Sequence, residues 1–161
     1  MTNKIVSYGL LPKIIARIKS QKKSIVLVGG CFDIFHIGHL RFLQSAKKTA
    51  DVLLIALESD PRVKTLKGDN RPIHSQNERA EILSELSFVD YILLLPDFSS
   101  DQEYFELVKI VQPNVIAVTQ NDQALEKKKQ QVSQLGGKLE VVTPYLNTPS
   151  TTQLTKLLKI D

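Results

Sequence analysis

Five short apolar runs constrain this chain most: "SIVLVGG" (24–30), "DVLLIALES" (51–59), "DYILLLP" (90–96), "NVIAVT" (114–119) and "KLEVVTP" (138–144). A strand with one wet face alternates apolar and polar residues. A strand covered on both faces is a nearly unbroken run of Val, Ile and Leu, and most of these are of that kind. Longer helical patterns separate them, as the crossovers of parallel strands require. The expectation is an α/β fold, a doubly wound parallel sheet of five strands with helices on both faces.

The intervening stretches carry helix signals. "IGHLRFLQSAKKTA" places Ile37, Leu40, Leu43 and Ala46 toward one face. Ser75 with Glu78, and Ser100 with Glu103, stand at capping-box spacing, and Ser150 with Gln153 repeats it. Gly136 and Gly137 end another helical pattern. A further helix, roughly Leu10 to Ser20, precedes the first run. Residues 59–75, "SDPRVKTLKGDNRPIHS", are polar, basic and rich in turn formers, and a long loop is expected there.

The 161 residues suit one domain over 1–161, with 1–23 a helical extension packed on it. The formal charge of +4 is scattered, apart from Lys127, Lys128 and Lys129 on what is expected to be a solvated helix face. A nucleic-acid groove shows a denser basic stripe. Small anionic ligands are reason enough for a modest positive bias. Cys31 is the only cysteine, which excludes an intrachain disulfide and favours a reducing compartment. No run has membrane-spanning length and the N-terminus lacks a signal-peptide pattern. The expectation is a cytoplasmic protein with neither nucleic acid nor membrane as partner.

The first run ends in chemistry: "IVLVGGCFDIFHIGHLRFL", Ile25 to Leu43. In doubly wound folds, ligands collect outside the carboxyl ends of the strands. Gly29 and Gly30 let the backbone turn and a ligand approach. A helix starting near Ile37 directs free N–H groups and its dipole at an anion. Gly38 leaves room for a phosphate, and His36 and His39, one turn apart, face the same ligand. The pattern lacks the Gly-Lys-Ser/Thr of a Walker loop and is no dinucleotide fingerprint. A zinc site needs two more ligands; Asp33 offers one at most, so no metal ligand is assigned.

"GGCFDIFHIGHL" resembles the Gly-Xaa-Phe-Asp-Xaa-Xaa-His-Xaa-Gly-His signature of the cytidylyltransferase-like nucleotidyltransferases. It matches at Gly30, Phe32, Asp33, His36, Gly38 and His39. "LKGDNRPIHSQNERAEIL" is similar to a second block of the adenylyltransferase domain of bacterial ADP-heptose synthases, through Leu66, Lys67, Gly68, Asp69, Arg71, Pro72 and Arg79. "STTQLTKLLK" resembles the Ser/Thr-rich start of that group's last helix. The resemblance implies a Rossmann-like nucleotidyltransferase fold. It implies transfer of a nucleoside monophosphate from an NTP, with ATP favoured, to a phosphorylated small molecule such as a sugar phosphate. Attack is in line, without a covalent intermediate, and pyrophosphate leaves. Mg²⁺ would accompany the triphosphate, and a homodimer is possible.

Roles follow residue by residue from the same resemblance. His36, His39, Lys67 and Arg79 form the catalytic set. Gly30, Cys31, Phe32, Gly38, Ser150, Thr151 and Thr152 bind nucleotide and phosphate. Asp33, Asn121 and Asp122 are candidates for substrate contacts. Plainer readings stand beside these: Lys64 and Lys67 as solvated loop charges, Arg79 as a surface partner of Glu78 or Glu81, Cys31 as packing, and Ser150–Thr152 as an ordinary cap. The ADP-heptose group has a Lys-Gly-Gly-Asp-Tyr-like turn after the fourth of these strands, whereas this chain has "VTQNDQ", 118–123. The acceptor is therefore open. The alternatives are a glycerol-3-phosphate-type cytidylyltransferase, an FAD synthase-like adenylyltransferase and a nucleotide-binding module without turnover.

Overall fold

The computed structural model describes residues 4–120 and 122–143. In chain order the elements are β1 (Ile5–Ser7), α1 (Leu11–Ser20), β2 (Ile25–Gly30), α2 (Ile37–Lys47), β3 (Val52–Leu57), α3 (Asp60–Lys67), α4 (Gln76–Ser84), β4 (Tyr91–Leu94), α5 (Asp101–Val111), β5 (Val115–Thr119), α6 (Leu125–Ser133) and β6 (Lys138–Thr143). One sheet takes them in the order β1-β4-β3-β2-β5-β6, every pair parallel.

The parallel α/β expectation is borne out, with one correction to the count: the sheet has six strands. "IVS" is too short to register as an apolar run, yet Ile5–Ser7 adds to the free edge of β4, pairing Ile5 with Ile92 and Ser7 with Leu94. A second correction concerns residues 59–75, which are not all loop. Ser59 accepts from the Arg62 N–H as an N-cap, Pro61 sits in the first turn and Val63 is fully buried, so α3 forms there despite its polar composition. The Ser75/Glu78 and Ser100/Glu103 capping boxes both form. Ser150 and Gln153 lie outside the described residues.

Alternation along the strands builds two cores. Ile25 and Leu27 of β2, with Val52, Leu54 and Ala56 of β3, face α1 and α5. Val26 and Val28, with Leu53, Ile55 and Leu57, face α2 and α4. On α2 the buried stripe is Phe42, Leu43 and Ala46; Ile37, expected to join it, is 46% exposed because the first turn stands clear of the sheet. The strand order reverses direction about β2, since the chain runs outward to β3 and then returns to β5. Only Val26 and Leu27 pair with β5, so beyond them the carboxyl ends of β2 and β5 diverge. A crevice opens there, where such sheets bind ligands.

Candidate active site

The Gly29–Gly30–Cys31 segment separates two cavities. A smaller one, of about 140 Å³, lies toward β5 and α2 and includes Phe32, His39, Thr119 and Asp122 in its lining. A larger one, of about 270 Å³, lies under α3, α5 and α6 and includes Glu58, Arg62, Tyr104 and Lys128. The three shared residues belong to both walls. A Cβ added at Gly29 would meet nothing within 4 Å, so its bare backbone faces ligand space. At Gly30 a Cβ would come within 2.8 Å of the Phe32 ring. Phe32 itself holds a left-handed φ of 46° and turns the chain out of β2 with its ring buried.

His36 is the N-cap of α2, and its Nδ1 accepts from the Gly38 N–H at 3.1 Å. That bond assigns the remaining ring proton to Nε2, which is left as a donor. The His39 ring stacks on His36 with centroids 3.8 Å apart, while Phe32 and Phe35 pack around it. Burial, then His36, then Lys67 push the His39 pKa down to about 3, and the Ile34 carbonyl works weakly against them. Burial also lowers that of His36. Both imidazoles are therefore neutral donors at pH 7 beside a helix N-terminus. Stacked as they are, they carry no mutually repelling charges.

Lys67 ends α3 on the exposed surface, and its charge acts on both His39 and Cys31. The Cys31 thiol is raised, first by burial and then by Glu58. Asp33 is buried and paired to Arg71 through Nε at 2.5 Å. It also accepts from the backbone N–H groups of Ile73 and His74, so it ties the loop before α4 to the end of β2. Asp122 accepts from the Ala124 N–H and pairs with Lys128 at 2.6 Å, at the rim between the cavities. Asn121, Ser150, Thr151 and Thr152 lie outside the described residues.

Arg79 departs from the surface pairing with Glu78 or Glu81. It is fully buried on the core-facing stripe of α4. Nε donates to His74 O, Nη1 to Cys31 O, and Nη2 to Glu58 O and to the Asp60 carboxylate at 2.7 Å. One planar fork thus holds the ends of β2 and β3, the start of α3 and the loop before α4. Gln76 does similar work, donating to the carbonyls of Leu57 and Leu95. Sequence reading passed over Gln76, Glu58, Arg62 and Tyr104. The one available signal was Glu58, a charge ending a buried run; the others gain meaning only where α3 and α5 meet.

The model of the cytidylyltransferase-like family matches residues 27–152, most of the chain and all of the strand–helix joint just described. The chain belongs to that family. The resemblance carried by Gly30 to His39 is thus borne out. Among curated relatives, Bifunctional protein HldE of Nitratiruptor sp. is 49% identical over 94 residues, covering 58% of this chain and 20% of that protein. The same protein of Geobacter sulfurreducens is 35% identical over 158 residues, covering 97% of this chain and 31% of that protein. This family member therefore spans only a fifth to a third of those relatives' length. A solved structure of a lipopolysaccharide core biosynthesis protein from Thermoplasma volcanium is 26% identical, with a TM-score of 0.65 over 77% of this chain and 99% of that one. Pantoate-beta-alanine ligase from Francisella tularensis, 18% identical with a TM-score of 0.63 over 90% of this chain and 68% of that one, shares the fold. Among the described residues no helix is long and apolar enough to cross a membrane.

Proposed function

We propose that this chain is an adenylyltransferase that moves AMP from ATP to a sugar phosphate and releases pyrophosphate. The observation that carries this reading is the pair of cavities sharing one wall, Gly29 to Cys31, with two neutral imidazoles at a helix N-terminus on one side. Two substrates meeting at a bare glycine backbone is what a direct transfer needs. The likeness to HldE supports ATP and a sugar phosphate over other pairs.

The nucleotide occupies the His39 side and the acceptor the Glu58 side. An oxygen of the acceptor phosphate attacks the α-phosphorus, and the bond to the bridging oxygen of pyrophosphate breaks with its electron pair. The nucleophile is already anionic, so no general base is needed. Catalysis is positioning plus neutralisation of the charge that moves to the leaving group. His36 Nε2 and His39 donate to that charge, Lys67 adds a cation, and Arg79 acts as a positioning residue by holding Cys31 and Glu58. A Mg²⁺ ion accompanying the ATP would be held mainly by phosphate oxygens and water. Bound with ATP, that ion would shield the charge of the triphosphate.

The test is pyrophosphate release with Mg²⁺, crossing ATP, CTP, GTP and UTP against heptose 1-phosphate, mannose 1-phosphate, glycerol 3-phosphate and FMN. Release with ATP and a sugar 1-phosphate is expected, falling about a hundredfold or more in His36→Ala and His39→Ala. Release with CTP and glycerol 3-phosphate would give the cytidylyltransferase reading instead. Nucleotide binding with no release from any pair would make the chain a binding module.

A further inference from the structure

The larger cavity holds a buried carboxylate that the transfer chemistry does not use. Glu58 follows β3, is 9% exposed and lines the cavity. Its only hydrogen-bond donor among the described residues is the Tyr104 hydroxyl of α5, at 2.9 and 3.1 Å from the two oxygens. A carboxylate accepts about four hydrogen bonds, and a hydroxyl brings one proton. Glu58 thus keeps spare acceptor capacity in a site where unmet polarity is costly.

Arg62 faces the same space from α3. Its guanidinium carbon stands 5.9 Å over the Tyr104 ring, and its Nε is buried with no hydrogen-bond partner among the described residues. Leu27, Ala56, Leu107 and Ile116 give the cavity an apolar floor, while Asp101, Lys127, Lys128 and Gln131 also line it. Glu58 also lies beside the transfer point, because its backbone N–H donates to Gly30 O at 3.1 Å. A buried acceptor, an unpartnered buried donor and an apolar floor at one spot describe a ligand with a hydroxyl edge, an anionic or oxygen-rich group and a hydrocarbon face.

We propose that Glu58, Tyr104 and Arg62 select the acceptor: Glu58 takes a hydrogen bond from a ring hydroxyl of a sugar phosphate, Arg62 donates to the same molecule, and the C–H face of the ring lies on Leu27, Ala56, Leu107 and Ile116. Tyr104 holds the Glu58 carboxylate in place and is a positioning residue. This assignment rests on the adenylyltransferase reading above. It adds the residues that distinguish one phosphorylated acceptor from another.

The experiment uses the full chain with Mg²⁺-ATP, taking heptose 1-phosphate, mannose 1-phosphate and their monodeoxy analogues as probes. Wild type should lose roughly tenfold to a hundredfold in kcat/KM for one particular deoxy analogue, since the site is built to meet that hydroxyl. Glu58→Gln and Glu58→Ala should raise KM for the parent sugar phosphate by a similar factor and leave KM for ATP unchanged. They should also abolish discrimination against that analogue, which general disruption of the fold would not do selectively. Arg62→Ala should raise KM for every probe. If wild type turns over sugar phosphates while the Glu58 variants keep both KM and discrimination, this assignment is overturned and the adenylyltransferase reading stands. If wild type neither binds nor adenylylates any sugar phosphate, both fall.

Discussion

His39 shows how burial sets chemistry at the scale of one residue. Its folded pKa of about 3 lies below the ordinary histidine value of 6.5, chiefly through burial. Below pH 6.5 the unfolded chain takes a proton that the folded chain refuses. Stability contributed by neutral His39 is thus complete above that pH and is lost progressively as pH falls toward 3. His36 shifts in the same direction. The lowered carboxylates Asp51, Glu78, Glu103 and Glu106 act only below their ordinary range near 4, whereas Glu58, raised chiefly by burial, works in the opposite sense to the histidines as pH falls, so the histidine share is read from the difference between wild type and a His39 variant. Urea midpoints measured from pH 7 to 5 should decline for wild type and decline less for His39→Asn. The adjacent glycines differ for steric reasons. Gly29→Ala should leave the melting temperature near wild type but weaken substrate binding, because its methyl group would enter ligand space. Gly30→Ala should cost roughly 1–3 kcal/mol by displacing the buried Phe32 ring, as thermal unfolding of the pair would show.

Among the elements, α4 holds the site without lining either cavity. Its capping box fixes where the helix starts, and that start aims Arg79 at four protein oxygens. Lysine has the charge but not the planar fork, so Arg79→Lys leaves carbonyls at Cys31 and Glu58 without donors. It should destabilise the protein by about 3 kcal/mol or more, measured by chemical denaturation. It should also slow transfer even under conditions where it is fully folded, because the wall between the cavities loosens. From sequence, Arg79 was named by the resemblance of residues 66–83 to a second motif block. Its partners come from residues 5 to 48 positions away and could not be read from spacing. The same is true of α3, whose polar composition masked a helix held by one cap and one buried valine.

For the whole molecule, the two cavities bear on kinetics. Both have Gly29–Cys31 in their lining, and in the direct transfer proposed above both substrates are bound at once and no residue is nucleotidylated. Initial-rate lines should intersect rather than run parallel. Exchange of labelled pyrophosphate into ATP should require the acceptor. Parallel lines with acceptor-independent exchange would point to a covalent nucleotidyl enzyme instead.

The sequence by itself determined the parallel sheet, the capped helices and the strand–helix joint at Gly30 to His39. Each depends on a local period, a local cap or an ordered motif. Tertiary structure alone decided the rest. Ile5–Ser7 is a strand because β4 offers an open edge, not because three residues favour one. Asp33 and Arg79 became buried ties because distant carbonyls and N–H groups converge on them. Glu58, Arg62 and Tyr104 form one cluster only because α3 and α5 pack over the same strand end. Periodicity records which face of an element is buried, whereas the partner across that face is fixed by packing alone.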